Sequence, residues 1–128
     1  MKHIKLFEQY LSEDKMRFEV DKINQKFKLF LGDVLVSESK FTIEEPDKWF
    51  DTKYATLFEL KTFEKFQGKG YAKYLLEKIF KYIKKEFKID IITLIVDKDN
   101  FKALNLYLSD GFEIFMEYDD SYSLIKKL

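Results

Sequence analysis

The 128-residue sequence lacks cysteine altogether and contains a single proline and a single histidine, His3. Without cysteine there is no disulfide, no thiolate metal ligand and no cysteine nucleophile. One histidine excludes a metal site built from several of them. Basic and acidic side chains balance at 23 each, so the chain has no bulk positive field for nucleic acid. We therefore expect neither a metal cofactor nor a nucleic-acid partner.

Long apolar stretches are also missing from the chain. No run is long enough to span a membrane, and residues 1–11 lack the apolar segment of a signal peptide. We expect a cytoplasmic protein with no membrane partner, and the sequence leaves a homodimer open. The length suits a single domain over residues 1–128. Aromatic residues are abundant at 18%, so phenylalanine should fill much of the core.

The first half of the chain predicts mainly antiparallel strands. Residues 1–14 carry a helical apolar stripe and are expected to form a short helix, with a first strand as the alternative. A tight hairpin turn is expected at residues 32–33, and residues 42–51 predict a loop or a short helix. Trp49 and Phe50 should anchor that loop on the core, although a place in a substrate cleft is the alternative. Apolar–polar alternation predicts strands at Met16–Asp21, Gln25–Leu31 and Val34–Phe41.

The second half begins with a predicted strand–helix–strand unit. A strand over Tyr54–Thr62 leads through a glycine turn into an amphipathic helix from Gly70 to about Lys88. The next strand, Ile89–Val96, is almost continuously apolar, which is typical of a parallel strand buried on both faces. The glycine turn should therefore lie at the C-terminal end of a parallel strand, where open α/β sheets bind ligands. The lysines of the helix are expected to form a solvated face, at Lys73, Lys81, Lys84 and Lys85.

The end of the chain predicts a second helix and a closing hairpin. Asn100 can cap the helix, and Gly111 suits the left-handed position that ends it. The hairpin should pair Phe112–Tyr118 with Tyr122–Lys126 around the turn at residues 119–120. The sequence thus predicts an α/β protein with a mixed sheet, a central strand–helix–strand crossover and a C-terminal hairpin.

The glycine turn reads QGKGYA over residues 67–72 and leads from a strand directly into a helix. Glycines let the backbone approach an anion, and a helix N-terminus offers unpaired amides and partial positive charge. The expected ligand is a phosphate or pyrophosphate. Neither the P-loop nor the dinucleotide-binding pattern is present. The pattern Gln67-x-x-Gly70-x-Ala72 resembles the acyl-CoA pyrophosphate loop of the GNAT family of N-acetyltransferases.

A second motif supports this resemblance. Asn100-x-x-Ala103-x-x-Leu106-Tyr107, followed by Gly111-Phe112, is similar to the GNAT pattern Asn-x-x-Ala-x-x-Leu-Tyr followed by Gly-Phe. The resemblance covers Tyr54–Leu128, whereas the first 53 residues match only in outline. It implies a GNAT-like acyl-CoA N-acyltransferase fold, with acetyl-CoA as co-substrate and a small-molecule or protein amine as acceptor.

The resemblance also implies which residues bind the coenzyme. Pantetheine would lie between the diverging ends of the two parallel strands, and the pyrophosphate would lie on the amides of the glycine turn. The implied coenzyme-binding residues are Leu60, Lys61, Thr62, Gln67, Gly68, Lys69, Gly70, Tyr71, Ala72, Asn100, Ala103 and Tyr107.

Two residues are candidates for proton transfer. By resemblance, Tyr107 would protonate the leaving thiolate, since tyrosine is protonated at neutral pH; otherwise it is a helix residue packed under Phe112. Glu59 is the candidate base, although an acidic strand residue can equally belong to a solvated face. Tyr54 is a rival base. The enzyme hypothesis competes with a non-catalytic acyl-CoA-binding sensor or scaffold module, and with a strand–helix–strand phosphate binder outside the family.

Overall fold

The computed structural model describes residues 15–128, so the helix predicted for residues 1–14 lies outside the described residues. Within residues 15–128, seven strands form one sheet in the order β1-β2-β3-β4-β5-β7-β6. The strands are β1 (Met16–Asp21), β2 (Lys26–Leu31), β3 (Val34–Glu44), β4 (Tyr54–Thr62), β5 (Ile91–Asp97), β6 (Glu113–Glu117) and β7 (Ser121–Lys127). The helices are α1 (Tyr71–Phe87) and α2 (Phe101–Ser109), with a 3₁₀ turn at Glu64–Phe66.

The sheet is mixed, as the sequence predicts. Every neighbouring pair of strands is antiparallel except β4 and β5, which run parallel across the α1 crossover. Their pairing is short and ends at the Leu57–Leu94 pair. Beyond this pair the two strands diverge. The predicted central crossover and C-terminal hairpin are both confirmed.

The core lies on one face of the sheet, which we call the helix face. Four apolar residues of α1 are fully buried there, namely Leu75, Leu76, Ile79 and Ile83. They pack against aromatic residues of β2 and β3, where the rings of Phe27 and Phe41 stack with centroids 4.2 Å apart. Tyr107 of α2 joins the same buried cluster. Phenylalanine thus contributes to the core as the composition predicts.

The opposite face of the sheet, which we call the back face, is less covered. The prediction that β5 is buried on both faces is wrong, because Ile95 is 65% exposed there. Within residues 15–128 the helices pack into the cluster on the helix face, so the alternate residues of β5 have no helix above them. Of the described helices, none is long and apolar enough to cross a membrane.

The structure also corrects two predictions for residues 42–51. Residues Thr42–Glu44 belong to β3 and not to a loop or helix, because they pair with Tyr54–Thr56 of β4. Trp49 and Phe50 do anchor the following loop, but not on the main core. Their rings contact Phe115 of β6, with centroids 6.2 Å and 5.5 Å away.

The chain between β1 and β2 is only a four-residue turn.

Candidate active site

The divergence of β4 and β5 opens a cleft in the middle of the sheet. A cavity of about 390 Å³ lies between the end of β4, the glycine turn and α2. A second cavity of about 190 Å³ lies between the diverging strands. The two cavities are adjacent and share four lining residues, namely Leu60, Asn100, Ala103 and Tyr107.

A backbone irregularity accompanies this divergence. Glu59 has a left-handed φ of 51°, and the register of β3 against β4 shifts between Glu38 and Lys40. Such a bulge bends the strand that carries it. The bend lies just after Leu57, the last residue of β4 that pairs with β5. We infer that the bulge turns the end of β4 away from β5 and so holds the cleft open.

The glycine turn presents an uncapped helix N-terminus to the larger cavity. Gly68 and Gly70 have φ values of 75° and 85°, which only glycine adopts readily. Gly70 is the N-cap of α1 and no side chain caps the first amides. The Gln67 side chain donates a hydrogen bond of 2.9 Å to the carbonyl of Thr62, which ties the turn to the end of β4. Free amides at a helix N-terminus are suited to binding an anion.

The structure brings together nearly all the predicted coenzyme-binding residues. Each of them lines the larger cavity except Lys69. Tyr71 is buried, and its ring packs edge-on against Phe66 with centroids 6.2 Å apart. The Asn100 carboxamide oxygen accepts a hydrogen bond from the Ala103 amide at 3.3 Å and caps α2, as predicted.

The sequence analysis missed several residues that line this cavity, namely Phe66, Lys73, Lys102 and Leu106. Lys73 was assigned to the solvated face, but it lies in the first turn of α1, beside the glycine turn. Its position only three residues after Gly70 is the sequence feature that could have predicted its place at the cavity. Lys61, Lys73 and Lys102 bring positive charge to the rim of the cavity, although Lys61 also pairs with Glu38 at 3.6 Å and Lys73 with Asp110 at 3.8 Å.

Tyr107 lies where the two cavities meet. Its ring packs edge-on against Phe112 with centroids 5.7 Å apart, which confirms the predicted packing against Phe112. The residue is only 7% exposed, and burial raises the pKa of its hydroxyl to about 12. The hydroxyl therefore stays protonated at neutral pH and can donate a proton or a hydrogen bond into the cleft.

The two candidate bases are both engaged with other residues. Glu59 lines the smaller cavity, but its carboxylate pairs with Lys40, and that hydrogen bond and charge lower its pKa. The Tyr54 hydroxyl donates a 2.6 Å hydrogen bond to Asp47, which, together with burial, raises the pKa of Tyr54 to about 12. Neither group is poised near neutral pH as a general base requires.

A model of the acetyltransferase (GNAT) family matches residues 8–112. The chain belongs to this family. This match confirms the resemblance that the two sequence motifs indicate. Membership of the family identifies the chain as an acetyltransferase. No curated protein matches the sequence. Among residues 15–128 no group of three acidic or histidine side chains is arranged to hold a metal ion.

Solved structures share the fold at low sequence identity. PH1933 from Pyrococcus horikoshii OT3 is 22% identical with a TM-score of 0.68, over 99% of this chain and 75% of that one. The PaiA N-acetyltransferase of Thermoplasma acidophilum, in complex with coenzyme A, is 23% identical with a TM-score of 0.67, over 80% and 60% of the respective chains. Arabidopsis thaliana Naa50, in complex with the bisubstrate analogue CoA-Ac-MVNAL, is 20% identical with a TM-score of 0.66, over 82% and 74%.

Proposed function

We propose that this GNAT protein transfers an acetyl group from acetyl-CoA to a primary amine by direct attack on the thioester. The observation that carries the proposal is the meeting of two cavities at Tyr107. The larger one has the uncapped helix N-terminus that an anionic coenzyme needs, and the smaller one leaves room for an acceptor. A phosphate binder would require only the first.

The coenzyme would be held mainly by backbone groups and lysines. Its pyrophosphate would lie on the free amides after Gly70, with Lys73 and Lys102 near its phosphates. Its pantetheine arm would pair with the free edge of β4 near Leu60 and Thr62, since that edge loses β5 as a partner after Leu57. PaiA was solved in complex with coenzyme A and Naa50 in complex with a coenzyme A bisubstrate analogue, which supports coenzyme A as the ligand of this fold.

The chemistry would then consist mostly of positioning. The amine, neutral when it attacks, forms a bond from nitrogen to the thioester carbon, and the carbon–sulfur bond breaks as the tetrahedral intermediate collapses. Holding both reactants in one cleft removes much of the entropic barrier. The nitrogen loses a proton and the departing thiolate gains one. Burial that raises the pKa of Tyr107 also raises that of a thiol beside it, because both anions lose solvation.

The substitution Tyr107→Phe tests this proposal directly. It keeps the ring against Phe112 but removes the hydroxyl, which would act on the transition state more than on the ground state. We expect kcat to fall by about 10²-fold or more, while the acetyl-CoA dissociation constant stays near that of the wild type. The measurements are thiol release with an accepted amine and titration calorimetry with acetyl-CoA.

Other outcomes of the same measurements have distinct meanings. An unchanged kcat with unchanged binding would contradict the role of Tyr107 but not acetyl transfer itself. Tight acetyl-CoA binding with no turnover across a panel of peptide, polyamine and aminoglycoside amines would favour a non-catalytic acyl-CoA-binding module. Absence of acetyl-CoA binding would overturn the proposed function altogether.

A further inference from the structure

Two large apolar side chains flank the smaller cavity on the back face of the sheet. Phe58 and Ile95 directly follow Leu57 and Leu94, the last parallel pair of β4 and β5. Because Leu57 and Leu94 are buried on the helix face, the residues after them point to the back face. Phe58 is 39% exposed and Ile95 is 65% exposed, and both line the cavity.

Further exposed apolar side chains lie across the sheet from Ile95, beyond a serine. Ile95 pairs with Ser123 of β7, which pairs with Met116 of β6. Phe115 lies in the bulge next to Met116 and contacts Trp49, and both rings are partly exposed. Phe115 and Trp49 thus form a second exposed apolar pair, separated from Ile95 by Ser123. We call Phe58 and Ile95, the pair that lines the cavity, the acceptor-side surface.

Two charged residues line the smaller cavity, Glu59 and Asp97, and one of them is paired. The Glu59 carboxylate forms an ion pair with Lys40. Lys98, the residue after Asp97, forms an ion pair with Glu117 at 2.6 Å. Asp97 lines the cavity and has no ion-pair partner among residues 15–128. A single unpaired carboxylate beside two exposed apolar side chains gives an acceptor with more than one positive charge little to pair with, whereas an apolar group gains by leaving water.

We propose that the acceptor is a primary amine with a large apolar group within a few bonds of the nitrogen, and that Phe58 and Ile95 bind this group. The inference rests on the proposed function. The coenzyme enters from the larger cavity with its pantetheine arm along the β4 edge, so the amine approaches Tyr107 from the back-face side of the smaller cavity, where Phe58 and Ile95 lie. Contact with them removes apolar surface of both partners from water.

Amino-acid amides provide a matched test, because their α-amino groups keep a similar pKa while the side chain varies. We expect kcat/KM for leucinamide and phenylalaninamide to exceed that for glycinamide by about tenfold, which corresponds to about 1.4 kcal/mol. Lysinamide, which carries a second positive charge, should be no better than glycinamide. The readout is thiol release at saturating acetyl-CoA with the full chain.

Two variants connect this preference to the surface. Ile95→Gln should reduce the ratio of leucinamide to glycinamide to near one, mainly through a higher KM for leucinamide. Ile114→Gln is the control, since Ile114 is similarly exposed at 50% on β6 but does not line the cavity. It should keep the wild-type ratio. Acetyl-CoA binding by calorimetry should be unchanged in both variants, which shows that each is folded.

Several results would overturn the inference. Equal use of leucinamide and glycinamide by the wild type, or a preference for lysinamide, would contradict it while leaving acetyl transfer intact. A ratio that Ile95→Gln does not change would remove this surface from acceptor binding. Acetyl-CoA binding without turnover of any amide would overturn the proposed function, and this inference with it.

Discussion

Glu59 combines two features that seldom occur together in a strand, a left-handed backbone and a position at a cleft. Its φ of 51° belongs to the bulge that bends β4, so the bulge accounts for the unusual backbone without any catalytic role. Its carboxylate is 63% exposed and pairs with Lys40. The catalytic role that the sequence suggested for Glu59 stays a prediction, and the ion pair argues that its effect is small.

The substitution Glu59→Gln decides between these roles. Because the pair with Lys40 lowers the pKa of the carboxyl, it is a weak proton acceptor at neutral pH, and we expect kcat to fall less than about tenfold. A loss of about 10²-fold or more would instead identify it as the base. Lys40→Gln adds a second readout. Freeing the carboxylate raises its pKa, so the acidic limb of the pH–rate profile moves to higher pH only if Glu59 is the base.

At the scale of elements, the glycine turn is the part whose role depends on backbone alone. A Cβ added at Gly70 would meet no protein atom within 4 Å, so glycine is needed there for its φ of 85° and for the approach of a ligand. Gly32, in the β2–β3 turn, is a matched control. It also has a positive φ, 62°, with open space around its Cα, but it lies outside both cavities.

We expect Gly70→Ala to weaken acetyl-CoA binding by about tenfold or more, as a methyl group stands between the amides and the pyrophosphate. Gly32→Ala carries a similar backbone strain of about 1 kcal/mol and should bind acetyl-CoA like the wild type. Calorimetric titration and thermal unfolding of both variants make the comparison. Equal binding losses in the two would attribute the effect to strain and place the coenzyme elsewhere.

The elements that the sequence predicts well are those with local signals. Asn100 caps α2 and Gly111 has a left-handed φ of 95°, as their residue types indicate. The bulge at Glu59 has no such signal, because it arises where β3 and β4 meet out of register. The exposure of Ile95 was missed for a similar reason. An apolar β-branched run specifies a strand, but what covers each face depends on elements far away in the chain.

At the scale of the whole molecule, the balance of 23 basic and 23 acidic residues conceals uneven local fields. Lysines gather at the rim of the larger cavity, although the net charge is zero. Composition excluded a bulk positive field but could not reveal this local one. Lys73 illustrates the difference, since it follows the charge pattern of α1 along the chain yet stands next to the helix N-terminus in space.

Two aspartates make opposite contributions to the pH dependence of global stability. Asp110, at the end of α2, has a side chain that is only 5% exposed, with its Oδ1 3.8 Å from Lys73. Its other carboxylate oxygen has no hydrogen-bond partner among residues 15–128. Burial therefore raises the pKa of Asp110 despite the lysine. In contrast, hydrogen bonds from Asn24 lower the pKa of Asp21, the last residue of β1, to about 2.

These opposite pKa shifts predict that the free energy of unfolding, relative to the wild type, changes with pH in opposite directions for Asp110→Asn and Asp21→Asn. Native Asp110 holds its proton to a higher pH than the unfolded chain does, so its contribution to the free energy of unfolding falls as pH rises through that window. Asp110→Asn removes this loss, and its stability relative to the wild type should rise from pH 3 to pH 7. The pH-independent cost of burying an amide cancels in that slope.

Asp21 contributes stability above its unfolded pKa and loses it as the pH falls toward about 2. Asp21→Asn should therefore be less stable than the wild type at pH 7, and the difference should shrink as the solution is acidified. Denaturant titrations of the unliganded protein between pH 3 and pH 7 provide both slopes. A falling slope for Asp110→Asn would mean that the Lys73 pair outweighs burial, because only a lowered native pKa gives that sign.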